Sequence, residues 1–153
     1  KINSNILFES IKIVSPIGKK QIEDYFLFRW ANLRKPLSQP IGSERDSLED
    51  ESIHKMVVND KNQIIAVGRL IIRLNKSQIR YFAVDKNHRR KGIGTFLMHK
   101  LESIAKNNKC DSVILNAREN ALKFYNSLDY RIIEKTDFLF GKIQHYKMKK
   151  ILK

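Results

Sequence analysis

With 153 residues, 42% of them hydrophobic and 30% charged, the chain is too apolar for a disordered segment and is sized for one domain, 1–153, whose core needs no disulfide or metal. Its one cysteine, Cys110, excludes an internal disulfide framework, and no apolar run approaches the ~18 residues of a membrane span, so a cytoplasmic protein without a membrane partner is expected. The net charge of +14 is uneven, with 18 basic against 7 acidic side chains in residues 76–153, which suits an anionic partner such as a phosphorylated cofactor or a nucleic acid.

In chain order, Ile6 to Val14 reads as a strand, and Glu9 and Lys12 interrupt it too soon for a signal peptide. Lys19 to Leu33 reads as a helix with Ile22, Tyr25, Phe26, Trp30 and Leu33 on one face. Pro36 and Pro40 punctuate an irregular stretch, after which Ser43 is placed to cap a short acidic helix. Three strand-like runs follow, Ile53 to Val58, Ile64 to Leu74 and Gln78 to Asp85, joined by Asn59-Asp60-Lys61-Asn62 and by Asn75-Lys76 as an antiparallel meander.

A strong helix spans Gly92 to Asn107, where Ile93, Phe96, Leu97, Leu101, Ile104 and Ala105 make an apolar stripe. Ser112 to Leu115 is a short strand, with Cys110 beside it as a small core or rim residue. Asn120 is placed to cap a helix with Ala121, Phe124, Tyr125 and Leu128 inward. Tyr130 to Ile133 and Ile143 to Met148 close the chain as strands. Strand, helix and strand between Gln78 and Leu115 form a crossover, so those two strands should be parallel. The expected fold class is α/β, a mixed and mostly antiparallel sheet of about seven strands with helices on both faces.

The segment from Val84 to Thr95 carries the chemistry. A strand ends, Arg89, Arg90 and Lys91 follow, and Gly92 and Gly94 open the helix. Helix N-termini leave N–H groups unpaired and carry partial positive charge, and glycine lets an anion approach them, so the segment fits a pyrophosphate. It is not a Walker loop, which needs G-x-x-x-x-G-K-[ST]. It is not a dinucleotide fingerprint either, since Leu97 stands where a third glycine would be.

Arg89-x-x-Gly92-x-Gly94 resembles the R/Q-x-x-G-x-G/A signature of the GNAT N-acetyltransferase superfamily. Tyr81-Phe82-Ala83-Val84-Asp85 looks like that family's fourth strand, and Leu115 to Tyr125 is similar to its fifth strand and following helix. The likeness is specific over residues 78–134 and topological before them. It departs at Asp129, where the family usually has glycine, but Asp tolerates the left-handed conformation such a turn needs.

The resemblance implies transfer of an acetyl group from acetyl-CoA to a primary amine, by direct attack in a ternary complex and without a metal. It implies cofactor contacts from Phe82, Ala83, Val84, Arg89, Arg90, Lys91, Gly92, Ile93, Gly94, Thr95, Asn116, Asn120 and Phe124. It makes Tyr125 the general acid for the departing thiolate. For the general base, His54, Glu49, Asp50 and Glu51 remain open beside plain water. Glu44, Asp46, Glu49, Asp50 and Glu51 form an acidic cluster that would attract a cationic amine or complement a helix dipole. The acceptor, a small amine, polyamine, peptide or protein, is not fixed, and a homodimer would fit the family. Alternatives are a CoA-binding sensor or scaffold that does not catalyse, and an RNA- or ribosome-associated protein. The latter is suggested by charge alone, since no RNA-binding motif with interleaved aromatics is visible.

Overall fold

The computed structural model describes residues 10–153. Within them the order is β1 (Lys12–Val14), α1 (Gly18–Leu33), β2 (Ile53–Val58), β3 (Ile64–Arg73), β4 (Lys76–Val84), α2 (Ile93–Asn107), β5 (Ser112–Arg118), α3 (Leu122–Ser127), β6 (Arg131–Leu139) and β7 (Ile143–Ile151). The expected first strand is seen from Lys12, and its residues 6–9 lie outside the described ones. The strands form one sheet in the order β1-β2-β3-β4-β5-β7-β6. β4 and β5 are the parallel pair, and every other pairing is antiparallel.

Helices cover both faces, which explains why β3 is buried almost continuously from Ile65 to Ile71. On one face α2 lays Ile93, Leu97, Met98, Leu101 and Ala105 against Val57, Ile65, Leu70, Ile79, Val113 and Leu115. Each Val, Ile, Leu or Met side chain so removed from water contributes roughly 1.5–3 kcal/mol. Cys110 belongs to this core, as expected for a small buried residue. On the other face α1 packs Tyr25 and Phe26 against Met56, Val58, Val67 and Ala83.

Three expectations are corrected. The inward face of α1 is Tyr25, Phe26 and Arg29, while Ile22 is 41% exposed. Ser43 caps no helix: its N–H donates to Pro40 O within a run of turns, and the only helical turn there is a 3-10 turn at Glu49–Glu51. Asn120 is likewise no cap, since it sits inside a 3-10 turn, Glu119–Ala121, that precedes α3. The left-handed turn foreseen at Asp129 is present, with φ 73°.

Arg29 is fully buried because its charge is matched locally. Its Nη1 donates to Glu49 Oε2 at 2.9 Å and to Glu44 O at 3.1 Å, and its Nη2 donates to the Tyr25 hydroxyl at 2.9 Å. Arg69, 1% exposed, forks onto Asp46 at 2.7 and 3.0 Å and shares Glu49 at 3.1 Å. Arg80 adds a second guanidinium to Asp46 at 3.1 Å. The bidentate geometry is the strong form of such a pair.

The guanidiniums of Arg29, Arg69 and Arg80 also lie 4.2, 5.0 and 4.7 Å from the centroid of the Tyr81 ring. Tyr81 has φ 55°, a left-handed conformation, and marks a bulge: from Val67↔Ala83 to Arg69↔Arg80, β4 uses one residue more than β3. Gly68 faces this bulge from β3. A Cβ there would stand 2.8 Å from Leu101 Cδ1 and 3.1 Å from Phe82 Cδ2, so α2 and the bulge close over a residue without a side chain.

Glu49→Gln should therefore lower stability by about 3–5 kcal/mol in chemical denaturation, because it strips the shared counter-charge from two buried arginines. Burial pushes the Asp46 carboxyl up, but the Arg69 fork, the Leu48 N–H and the charges of Arg69 and Arg80 outweigh it and bring it from 3.8 to about 2. A depressed carboxyl stabilises the fold above its unfolded value and ceases to as pH falls through its folded value. The stability difference between the native chain and Asp46→Asn should thus be constant above about pH 5 and shrink between about pH 4 and 2.

Candidate active site

The turn after β4 is built by Asp85, whose carboxylate accepts the Asn87 N–H at 3.2 Å and meets His88 Nδ1 at 2.8 Å. Arg89 follows in extended conformation, and Arg90 and Gly92 have φ 62° and 86°. No side chain caps α2, and Phe96 N–H is bonded to Gly92 O at 3.0 Å as the first rung of the helix. The N–H groups of Ile93, Gly94 and Thr95 are thereby left for an outside acceptor beside three cationic residues. Gly94 has a steric reason as well: a Cβ there would come 3.1 Å from the tip of the Phe124 ring and 3.5 Å from Val84.

β4 and β5 pair only at Lys76↔Ser112, Ser77↔Val113 and Gln78↔Ile114. Beyond them the strands diverge, and β5 continues against β7 alone. The bulge at Tyr81 turns β4 away over the same stretch. Between the strands lies a cavity of about 820 Å³ that reaches both the glycine turn and the C-terminal end of α1. The free backbone edges of β4 and β5 line it, which suits an extended chain pairing like an added strand.

Of the residues the sequence singled out, Phe82, Ala83, Val84, Arg89, Arg90, Gly92, Gly94, Thr95, Asn116, Asn120, Phe124 and Tyr125 line this cavity. Lys91 and Ile93 do not: the Ile93 side chain is buried in the core, 1% exposed, so only its backbone is available. Tyr125 is held edge-on by Phe124 at 5.0 Å, Tyr130 at 5.8 Å and Phe82 at 6.4 Å between ring centroids. Its hydroxyl makes no hydrogen bond among the described residues. Burial pushes the phenol well above its ordinary range, with only partial opposition from the Arg118 charge. Tyr125 therefore stays protonated through neutral and mildly alkaline pH.

His54 is not placed as a base. Its Nε2 donates to Glu49 O at 2.7 Å and its Nδ1 accepts from the Tyr25 hydroxyl at 2.8 Å, which fixes a neutral tautomer. Burial lowers its pKa further. The acidic cluster is not placed to attract an amine either. Asp46 and Glu49 serve the buried arginines, Glu44 takes the Gly42 N–H at 2.7 Å and Arg45 at 3.0 Å, and none of the five acids lines the cavity. Sequence reasoning missed what does line that end, Arg34, Arg80 and Arg118, with Tyr81 and His145. For Arg118 a signal existed: two residues beyond Asn116 on a strand, it must share that residue's face.

Among the described residues no helix is long and apolar enough to cross a membrane, and no group of three or more His, Cys, Asp or Glu side chains is gathered to hold a metal ion.

A seven-stranded sheet opened at one parallel seam, with an uncapped helix start at the mouth of the opening, is the architecture of the acyl-CoA N-acyltransferases. The Acetyltransferase (GNAT) domain model matches residues 31–152, and the chain belongs to the GNAT family of N-acetyltransferases. It is 32% identical over 140 residues to YjcF of Bacillus subtilis strain 168, described as an uncharacterized N-acetyltransferase, covering 92% of this chain and 99% of that protein. A GNAT-family acetyltransferase from Staphylococcus aureus superposes with a TM-score of 0.75 at 21% identity, over 94% of this chain and all of its own. An aminoglycoside 6'-N-acetyltransferase complexed with coenzyme A gives 0.75 at 15% identity, over 93% and 96% of the two chains. At such identities these likenesses show the fold.

Proposed function

We propose that this chain moves an acetyl group from acetyl-CoA to a primary amine by direct transfer, with both substrates bound together. The observation that carries the reading is the continuity of one cavity. It joins an uncapped helix start among Arg89, Arg90 and Lys91, two unpaired strand edges, and a buried phenol. Each matches one part of an acyl-CoA. The pyrophosphate takes the N–H groups of residues 92–95 and the adjacent cations. The pantetheine arm runs between β4 and β5, pairing with the backbone at Phe82, Ala83 and Val84 and meeting Asn116 and Asn120. Phe124 packs beside it.

The chemistry needs little from side chains. The amine nitrogen bonds to the thioester carbon, and the carbonyl oxygen takes up charge that a backbone N–H on β4 stabilises. The carbon–sulfur bond then breaks, and Tyr125 supplies the proton that the thiolate accepts. The amine proton passes to water, since His54 is held between Glu49 O and the Tyr25 hydroxyl and Glu49, Asp50 and Glu51 do not line the cavity. Most of the acceleration comes from holding amine and thioester together.

Acetyl-CoA should raise the melting temperature, and the double substitution Arg89→Glu with Gly92→Asp should abolish that rise. A native chain that no acyl-CoA stabilises would exclude the reading. Tyr125→Phe should lower kcat by roughly 10²-fold or more while the KM for acetyl-CoA changes little. Unchanged turnover, measured as free thiol released with a reactive amine, would remove Tyr125 from the acid role.

A further inference from the structure

The end of the cavity opposite the glycine turn is unusually cationic for a site that takes an amine. Leu33 O, at the C-terminal end of α1, accepts Arg34 Nη1 at 3.2 Å and Arg118 Nη2 at 2.9 Å, so one carbonyl holds two guanidiniums together. Arg34 also donates from Nε to Ser43 O at 3.0 Å. Neither arginine meets a carboxylate among the described residues, although both line the cavity. Asp137 is the one carboxylate in that lining, and it bonds to neither. Arg80, beside them, is matched by Asp46 at 3.1 Å.

Two guanidiniums this close repel, and burial raises the cost. Burial lowers the pKa of Arg34, with Arg80 and Arg29 adding to it, and burial followed by the Arg34 charge lowers that of Arg118. A helix C-terminus accounts for one cation at Leu33 O but does not need two. The donors left over on two planar forks suit the two oxygens of a carboxylate.

We infer that the acceptor is an amine that also carries a carboxylate, which Arg34 and Arg118 bind on the α1 side of the cavity. The inference rests on the acetyl-transfer reading and narrows its substrate class. The acceptor is then an amino acid or a short acidic peptide in place of a polyamine. Arg118, with Arg34, fixes the acceptor's charged end while its nitrogen enters the gap between β4 and β5.

The test compares matched amines by thiol release from acetyl-CoA: amino acids, their amides, their decarboxylated counterparts, and short peptides with or without an acidic residue next to the N-terminus. Carboxylate-bearing amines should show kcat/KM about 10- to 100-fold above their neutral matches, the range of one charge-assisted hydrogen bond. Arg34→Gln and Arg118→Gln should each erase that preference and leave the KM for acetyl-CoA in place. The selectivity of the native chain decides the matter even where a variant fails to fold. Preference for the decarboxylated amines would overturn the inference, as would variants with unaltered selectivity. A rise in the KM for acetyl-CoA in Arg118→Gln would place this arginine on the cofactor and overturn it too. So would the absence of both turnover and added thermal stabilisation with every carboxylate-bearing amine. Stabilisation by acetyl-CoA, measured in the same samples, separates these failures from failure of acetyl transfer itself.

Discussion

The site depends on one extra residue in β4. A non-glycine backbone at φ 55° costs on the order of 1–3 kcal/mol, and Tyr81 holds it in the middle of a buried sheet. The surroundings over-determine it. Arg29, Arg69 and Arg80 press on the ring, Arg34 lies 5.5 Å from its centroid, and Gly68 leaves room on the opposite side for Phe82 and Leu101. A regular strand would carry the β4–β5 ladder past Gln78 and close the sheet. The bulged strand departs from β5, and the departure is the cavity.

The same arginines explain how the carboxylates are distributed. Burying Arg29 and Arg69 against one ring requires anions in the same place, and Asp46 and Glu49 are drawn there. They are then unable to serve the cavity. What remains at its α1 end is positive, and what lies at its other end, from Arg89 to Lys91, is positive too. Of the 18 basic side chains in residues 76–153, Arg80, Arg89, Arg90 and Arg118 line the opening.

Much of this was legible in the chain. The glycine turn, α2 and the inward face of α3 follow from local spacing, because each is decided by contacts a few residues apart. The β4–β5 crossover followed from connection length. The failures are non-local. Tyr25, four residues before Arg29, is one of its partners, but the charge that lets Arg29 be buried comes from Glu49 and the ring beneath it from Tyr81, both far along the chain. Ser43 had the chemistry of a cap, but turns from Pro40 onward take its N–H before a helix can start. The pairing of Arg34 with Arg118 on one carbonyl joins residues 85 positions apart from that carbonyl to the second arginine, which no spacing rule reaches.

The opening also coincides with a division in the chain itself. Strands β1 to β4 come from residues 12–84 and β5 to β7 from residues 112–151, with α2 between. Each half gathers its strands largely through neighbours in sequence, and the halves are joined in the sheet by three residue pairs. Anything lodged between β4 and β5 beyond Gln78 and Ile114 would therefore bridge the two halves of the chain where they share no backbone pairing of their own.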